Sequence, residues 1–128
     1  MQIPMSSPEL TAPDVAAVNE VLDTRYLSLG PRIEAFEEAF AATVGTEHAV
    51  GVNSGTSALH AMYFAAGIGP GDEIVTSPLT FAATANAALY LGAGVRFVDV
   101  EPDTGNLDPD LAEAAITQRT RAIVPIDL

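Results

Sequence analysis

A chain of 128 residues with 48% hydrophobic side chains and positive mean hydropathy can bury one core, which excludes a disordered tail. Seventeen acidic residues against five basic ones give a net charge of −12, so the clustered cations that nucleic acid or an anionic membrane would need are missing. The absence of cysteine removes disulfides, thiolate metal sites and a cysteine nucleophile, and is compatible with a cytoplasmic location.

Taken in chain order, Met1 to Glu9 lacks a basic region followed by an apolar core, so no signal peptide is expected. Thr11 reads as an N-cap, Pro13 sits in a first helical turn, and Val15, Val18 and Leu22 follow at helical spacing, predicting a helix to about Thr24. Arg25 to Gly30 form a loop. Pro31 opens a second helix with Ile33, Phe36, Phe40 and Val44 on one face and Glu34, Glu37 and Glu38 elsewhere, and Gly45 ends it. An alternation follows: strand His48 to Val52, helix Thr56 to Ala66, strand Glu73 to Thr76, helix Phe81 to Leu91 and strand Val95 to Val98. A last helix, Pro109 to Ile116, is capped by Asp108, and Ala122 to Ile126 reads as a strand. Strands and helices alternating through short connections predict an α/β fold, a parallel sheet flanked by helices. No apolar run of about twenty residues is present to cross a membrane. Leu128 follows what reads as a buried strand, so the chain is expected to be a truncated part of a larger domain; the alternative is a complete small sheet of four strands.

The most informative stretch joins the strand ending near Val52 to the helix beginning at Thr56. Asn53, Ser54 and Gly55 make a small polar turn at a helix start, where unpaired backbone N–H groups and the positive end of the helix dipole meet. Thr56 and Ser57 add hydroxyls. The chain has no lysine, its basic residues being Arg25, Arg32, Arg96, Arg119 and Arg121, so this cup is not a Walker A loop. Gly67, Gly69 and Gly71 fall after a helix and before a strand, which makes them a helix cap and turn rather than a dinucleotide fingerprint. A compact phosphorylated ligand held by amides and hydroxyls is the reading left.

From Tyr26 onward the sequence resembles the N-terminal part of the DegT/DnrJ/StrS sugar aminotransferases, which use pyridoxal 5′-phosphate (PLP) and have fold type I. The resemblance rests on an ordered series: Leu29-Gly-Pro-Arg-Ile-Glu-Ala-Phe-Glu, Val52-Asn-Ser-Gly-Thr-Ser-Ala-Leu-His, Gly67-Ile-Gly-Pro-Gly-Asp-Glu, Ser77-Pro-Leu-Thr-Phe-Ala-Ala-Thr-Ala-Asn and Phe97-Val-Asp-Val. It implies the N-terminal part of the large, PLP-binding domain of an aspartate aminotransferase-like fold over residues 1–128. Residues 1–30 would form an N-terminal helix and loop, and 31–128 the alternating strands and helices. It further implies that the PLP phosphate rests on Gly55 and Thr56 with Ser54 adjacent, and that Phe81 lies flat against the pyridine ring. For Phe81 the alternative is an ordinary core aromatic. Gly30, with Leu29, Pro31 and nearby Tyr26, resembles a loop that approaches the substrate; a plain helix-opening turn is the alternative.

The family moves an amino group, commonly from glutamate or glutamine, to a keto sugar attached to a nucleotide. That chemistry uses a lysine bonded to the cofactor and an aspartate paired with the pyridine nitrogen, both of which the resemblance places after the segment matching Ile123 to Leu128. No residue of this chain is therefore assigned a catalytic role, Asp127 included, and the isolated chain is expected to be inactive. The family also implies a homodimer with shared active sites. A non-catalytic phosphate-ligand or interaction fragment, and another fold type I activity such as a lyase or sugar dehydratase, are the competing readings. His60, four residues after Thr56, is read as packing against the sheet, and His48 opens a strand without a partner. Asp99, Glu101, Asp103, Asp108 and Asp110 have turn and cap chemistry rather than the spacing of a calcium loop.

Overall fold

Helix formation begins where Thr11 donates both its backbone N–H, at 2.8 Å, and its hydroxyl, at 2.6 Å, to Asp14 Oδ2. The computed structural model describes residues 6–127; the expectations for Met1 to Met5 and for the chain's end at Leu128 lie outside them. In chain order the elements are α1 (Ala12–Leu22), α2 (Pro31–Val44), α3 (Gly55–Ala65), β1 (Glu73–Thr76), α4 (Ala83–Tyr90), β2 (Gly94–Phe97), α5 (Pro109–Ala114) and β3 (Thr120–Val124). They divide into two compact units, one ending at Gly51 and the other beginning at Val52.

The first unit holds α1 and α2. Pro31 starts α2 without wasting an N–H, and Gly45 closes it in a left-handed cap, after which Thr46 N–H returns to Ala41 O at 3.0 Å. Among the described residues of this unit Ala41 is the buried hydrophobic one, while Phe36, Phe40 and Val44 stay exposed along the face the sequence marks as apolar. Phe36 and Phe40 cover one another, ring centroids 5.9 Å apart. The strand expected over His48 to Val52 does not form. A strand is defined by a ladder partner, and no described strand pairs with this segment; Gly51 N–H is instead fastened to Glu37 Oε1 at 2.6 Å.

The second unit is a parallel three-stranded sheet in the order β2-β1-β3 with helices packed on it, which makes three strands where the sequence predicts four. Central β1 is buried along its whole length, as an inner parallel strand covered on both faces must be. Ile74 joins Tyr63, Ile68, Ala87, Ala88 and Ala93 in the core, and the small side chains of α4 let that helix approach α3 and the sheet closely. Gly67 and Gly71 take φ of 73° and 92°, left-handed values that let the chain leave α3 and turn into β1, as expected of the glycine triplet. Asp108 caps α5 by accepting from Asp110 N–H at 2.9 Å and Leu111 N–H at 3.1 Å. The last strand lies two residues earlier than predicted, ending at Val124 because Pro125 has no N–H to continue the ladder. The helix predicted from Phe81 starts at Ala83, with Thr84 N–H bonded to Phe81 O at 3.1 Å.

Candidate functional site

Chain direction determines where the second unit can hold a ligand. A short turn, residues 66–72, carries α3 into the amino end of β1, and residues 77–82 carry the carboxyl end of β1 into α4. Both helices therefore run back along the strand, and both of their N-termini lie at its carboxyl end. This is the end at which open α/β sheets bind ligands.

At the start of α3 the backbone of Ser54 is extended, and its hydroxyl accepts from Ser57 N–H at 3.1 Å. Ser57 Oγ donates to Asn53 Oδ1 at 2.7 Å and lies 3.0 Å from Ser54 Oγ. The Ser57 hydroxyl is thus committed to the cap, which corrects the expectation that it stands ready beside the cup. The N–H groups of Gly55 and Thr56, and the Thr56 hydroxyl, have no protein acceptor among the described residues. A Cβ built at Gly55 would meet nothing within 4 Å, so packing does not dictate glycine there. The space beside these amides is open to an approaching anion.

Phe81 precedes α4 and is 80% exposed in this structure. Its segment is anchored: Thr84 N–H donates to Phe81 O, and Thr80 Oγ1 lies 2.9 Å from Thr84 Oγ1. The buried Tyr63 of α3 donates its hydroxyl to Thr84 O at 3.2 Å, tying the helix that carries the cup to the helix behind Phe81. Burial pushes the Tyr63 phenol up from its ordinary value, so it remains a donor at neutral pH. Sequence periodicity shows Tyr63 only as an apolar helix position; its partner lies 21 residues away and no local signal points to it.

In the first unit Tyr26 and Gly30 come together. Gly30 is the N-cap of α2 with extended backbone, and a Cβ on it would stand 2.9 Å from Tyr26 Cβ, so close approach rather than dihedral angle demands glycine. Leu29 beside it has φ of 49°, a strained value for a residue with a side chain, and is exposed. Tyr26, Leu29 and Gly30, with Thr24 and the ion-paired Glu20 and Arg32, line an open hollow of ≈ 420 Å³. The helix-opening turn is thus real, and it also shapes a cavity.

The remaining candidates have local duties. His60 is exposed and sets its ring edge-on to Tyr90 of α4, centroids 5.8 Å apart, so it packs on a helix residue and not on the sheet. His48 stands 3.5 Å from Glu47 Oε1 at the surface. Asp99 Oδ1 accepts from Val100 N–H, Glu101 from the Thr104 hydroxyl, and Asp108 caps α5. Among the described residues no helix is long and apolar enough to cross a membrane.

Residues 8–128 match the DegT/DnrJ/EryC1/StrS aminotransferase family. Over 124 residues the chain is 48% identical to the spore coat polysaccharide biosynthesis protein SpsC of Bacillus subtilis (strain 168), an alignment covering 97% of this chain and 32% of SpsC. Its fold is similar to that of Spr1654 from Streptococcus pneumoniae, described as a sugar aminotransferase and solved in its PMP form: TM-score 0.90, 32% identity, 98% of this chain and 32% of that one. It is also similar to DesV of S. venezuelae, with TM-score 0.82 and 47% identity over 87% of this chain and 30% of that one. The chain spans about a third of the length of these relatives.

Proposed function

This chain belongs to the DegT/DnrJ/EryC1/StrS aminotransferase family, and on that premise we propose that it is the N-terminal part of the cofactor domain of a PLP-dependent enzyme that moves an amino group from an amino acid to a keto sugar attached to a nucleotide. The observation that carries the reading is the pair of amides, Gly55 and Thr56, opening beside an uncrowded glycine at the end of the sheet where Phe81 is exposed.

In this reading the amides of Gly55 and Thr56 and the Thr56 hydroxyl bind the phosphate of PLP, with Ser54 holding the turn. In a chain without lysine the helix dipole supplies the positive potential at that point. Phe81 covers the pyridine ring, fixing its plane and excluding water from one face. Tyr26 and Gly30, which meet in the first unit, are read as substrate-binding residues of the parent enzyme. When bound, the cofactor supplies the electron sink through which the amino group passes. A covalent lysine and an aspartate for the pyridine nitrogen come from sequence other than residues 1–128, so this chain alone does not transaminate. The parent enzyme is read as a cytoplasmic homodimer with active sites shared between subunits.

Spectrophotometric titration of the full-length parent with PLP, followed by assay of amino transfer from glutamate or glutamine to nucleotide-linked keto sugars, tests the reading. Uptake of PLP and formation of an amino sugar are expected. A parent that binds phosphate esters but transfers no amino group would turn the reading toward a non-catalytic ligand module, and one that takes up no PLP would end it.

A further inference from the structure

Glu73 opens β1, yet it is only 5% exposed, and the partners of its carboxylate come from both neighbouring strands. On one side Arg96 of β2 donates Nε to Oε1 at 3.4 Å. On the other, the turn leading into β3 supplies the Thr117 hydroxyl at 2.6 Å, the Thr120 hydroxyl at 3.2 Å and Arg119 Nη2 at 3.2 Å. The backbone joins in, with Glu73 N–H donating to Arg119 O at 2.9 Å. The turn is closed on itself by Thr117 N–H to Thr120 Oγ1 at 2.8 Å and Arg119 N–H to Thr117 Oγ1 at 3.1 Å.

The pairing of β1 with β3 slips at this point. Glu73 stands opposite Thr120 and Ile74 opposite Ala122, so Arg121 is an extra residue in a parallel ladder, where such insertions are rare. Its guanidinium is taken by Asp72 Oδ1 at 3.4 Å. Beyond the insertion, Ala122 and Val124 pack on the core while Arg121 and Ile123 face outward. Hydrophobic burial therefore secures the carboxyl half of β3. The amino half, from Thr117 to Arg121, has almost no apolar contact of that kind and depends on the two acids.

We propose that the Glu73 carboxylate is a latch that, beside the Asp72–Arg121 pair, fastens the amino end of β3 to β1 across the insertion at Arg121, and that acid acting on Glu73 releases residues 117–121 while Ala122 to Val124 stay in place. The groups facing Glu73 are Arg96 from β2 and Thr117, Arg119 and Thr120 from the β3 side; Asp72 and Arg121 make the adjoining pair. The Thr117 hydroxyl, then Arg96 and Thr120, hold the Glu73 carboxyl below the ordinary carboxylate range against the opposing effect of burial. A group lowered in this way stabilises the fold above its unfolded value and loses that contribution as pH falls through its folded value. The latch is closed at neutral pH and opens in acid, at the sheet end opposite the α3 N-terminus.

Hydrogen exchange of the full-length protein, followed across acid to neutral pH by mass spectrometry, tests this in wild type, Glu73→Gln and Thr117→Val. In wild type, residues 117–121 are expected to lose protection in acid before residues 122–124. Glu73→Gln should expose 117–121 roughly tenfold more at neutral pH, the loss expected for a hydrogen bond to a charged group, and abolish the acid step. Thr117→Val should keep the step but move it to higher pH. PLP affinity should be unchanged in both variants. An acid step that persists in Glu73→Gln overturns the proposal. Should Glu73→Gln fail to fold, an acid step at the wild-type pH in Thr117→Val overturns it equally.

Discussion

At the scale of single residues, the cup divides into side chains that serve the protein and groups that remain free for a ligand. Ser54 and Ser57 spend their hydroxyls on the cap with Asn53, whereas Gly55 and Thr56 keep their amides. Replacing Gly55 with valine in the full-length enzyme would fill the open space beside those amides. It should weaken PLP by about tenfold or more, the worth of one hydrogen bond to a charged group. Fluorescence or absorbance titration reads this directly, and an unchanged dissociation constant would remove Gly55 from the site. The sequence marks Ser54 as part of a polar turn at a helix start, and the structure shows its hydroxyl accepting from Ser57 N–H as the cap. The commitment of Ser57 was not visible in the sequence, since Asn53, Ser54 and Thr56 offer it equivalent partners on paper.

At the scale of elements, the pieces whose ends are set by local chemistry were the readable ones. Asp108 before Pro109 marked α5, and the structure gives its carboxylate two backbone donors. Asp108→Ala should cost about 0.5–2 kcal/mol of stability, seen as a lower denaturant midpoint with an unchanged slope. If the midpoint does not move, the cap contributes nothing and α5 is held by packing alone. The predicted strand His48 to Val52 failed for the complementary reason. Apolar composition permits a strand, but only hydrogen bonding to a neighbour makes one, and the described strands pair among themselves. Phe81 shows the same division: its apolar character suits either a core or a ligand face, and its position ahead of Ala83 leaves it exposed.

At the scale of the whole molecule, stability is concentrated unequally. Ile74 and Val75 on β1 are fully buried, whereas Val15, Val18, Leu22, Phe36 and Phe40 of the first unit remain exposed. Ile74→Ala should therefore destabilise the second unit by about 2–5 kcal/mol, measurable by denaturant unfolding, because it empties volume at the centre of the core. A loss below about 1 kcal/mol would mean that the core relaxes around the cavity. The sequence by itself determined the α/β class, the order of helices, the helix caps, the absence of lysine and the polar turn at Ser54 to Thr56. All of these depend on composition, periodicity or hydrogen bonds between near neighbours. The tertiary structure decided what depends on residues distant in the chain: which apolar segments found a ladder, that Phe81 stays exposed, that Tyr63 reaches Thr84, and that Glu73 gathers Arg96, Thr117, Arg119 and Thr120. Pairings over 20 to 50 positions leave no local periodicity, because each partner's side chain is equally suited to water until folding brings the two strands together.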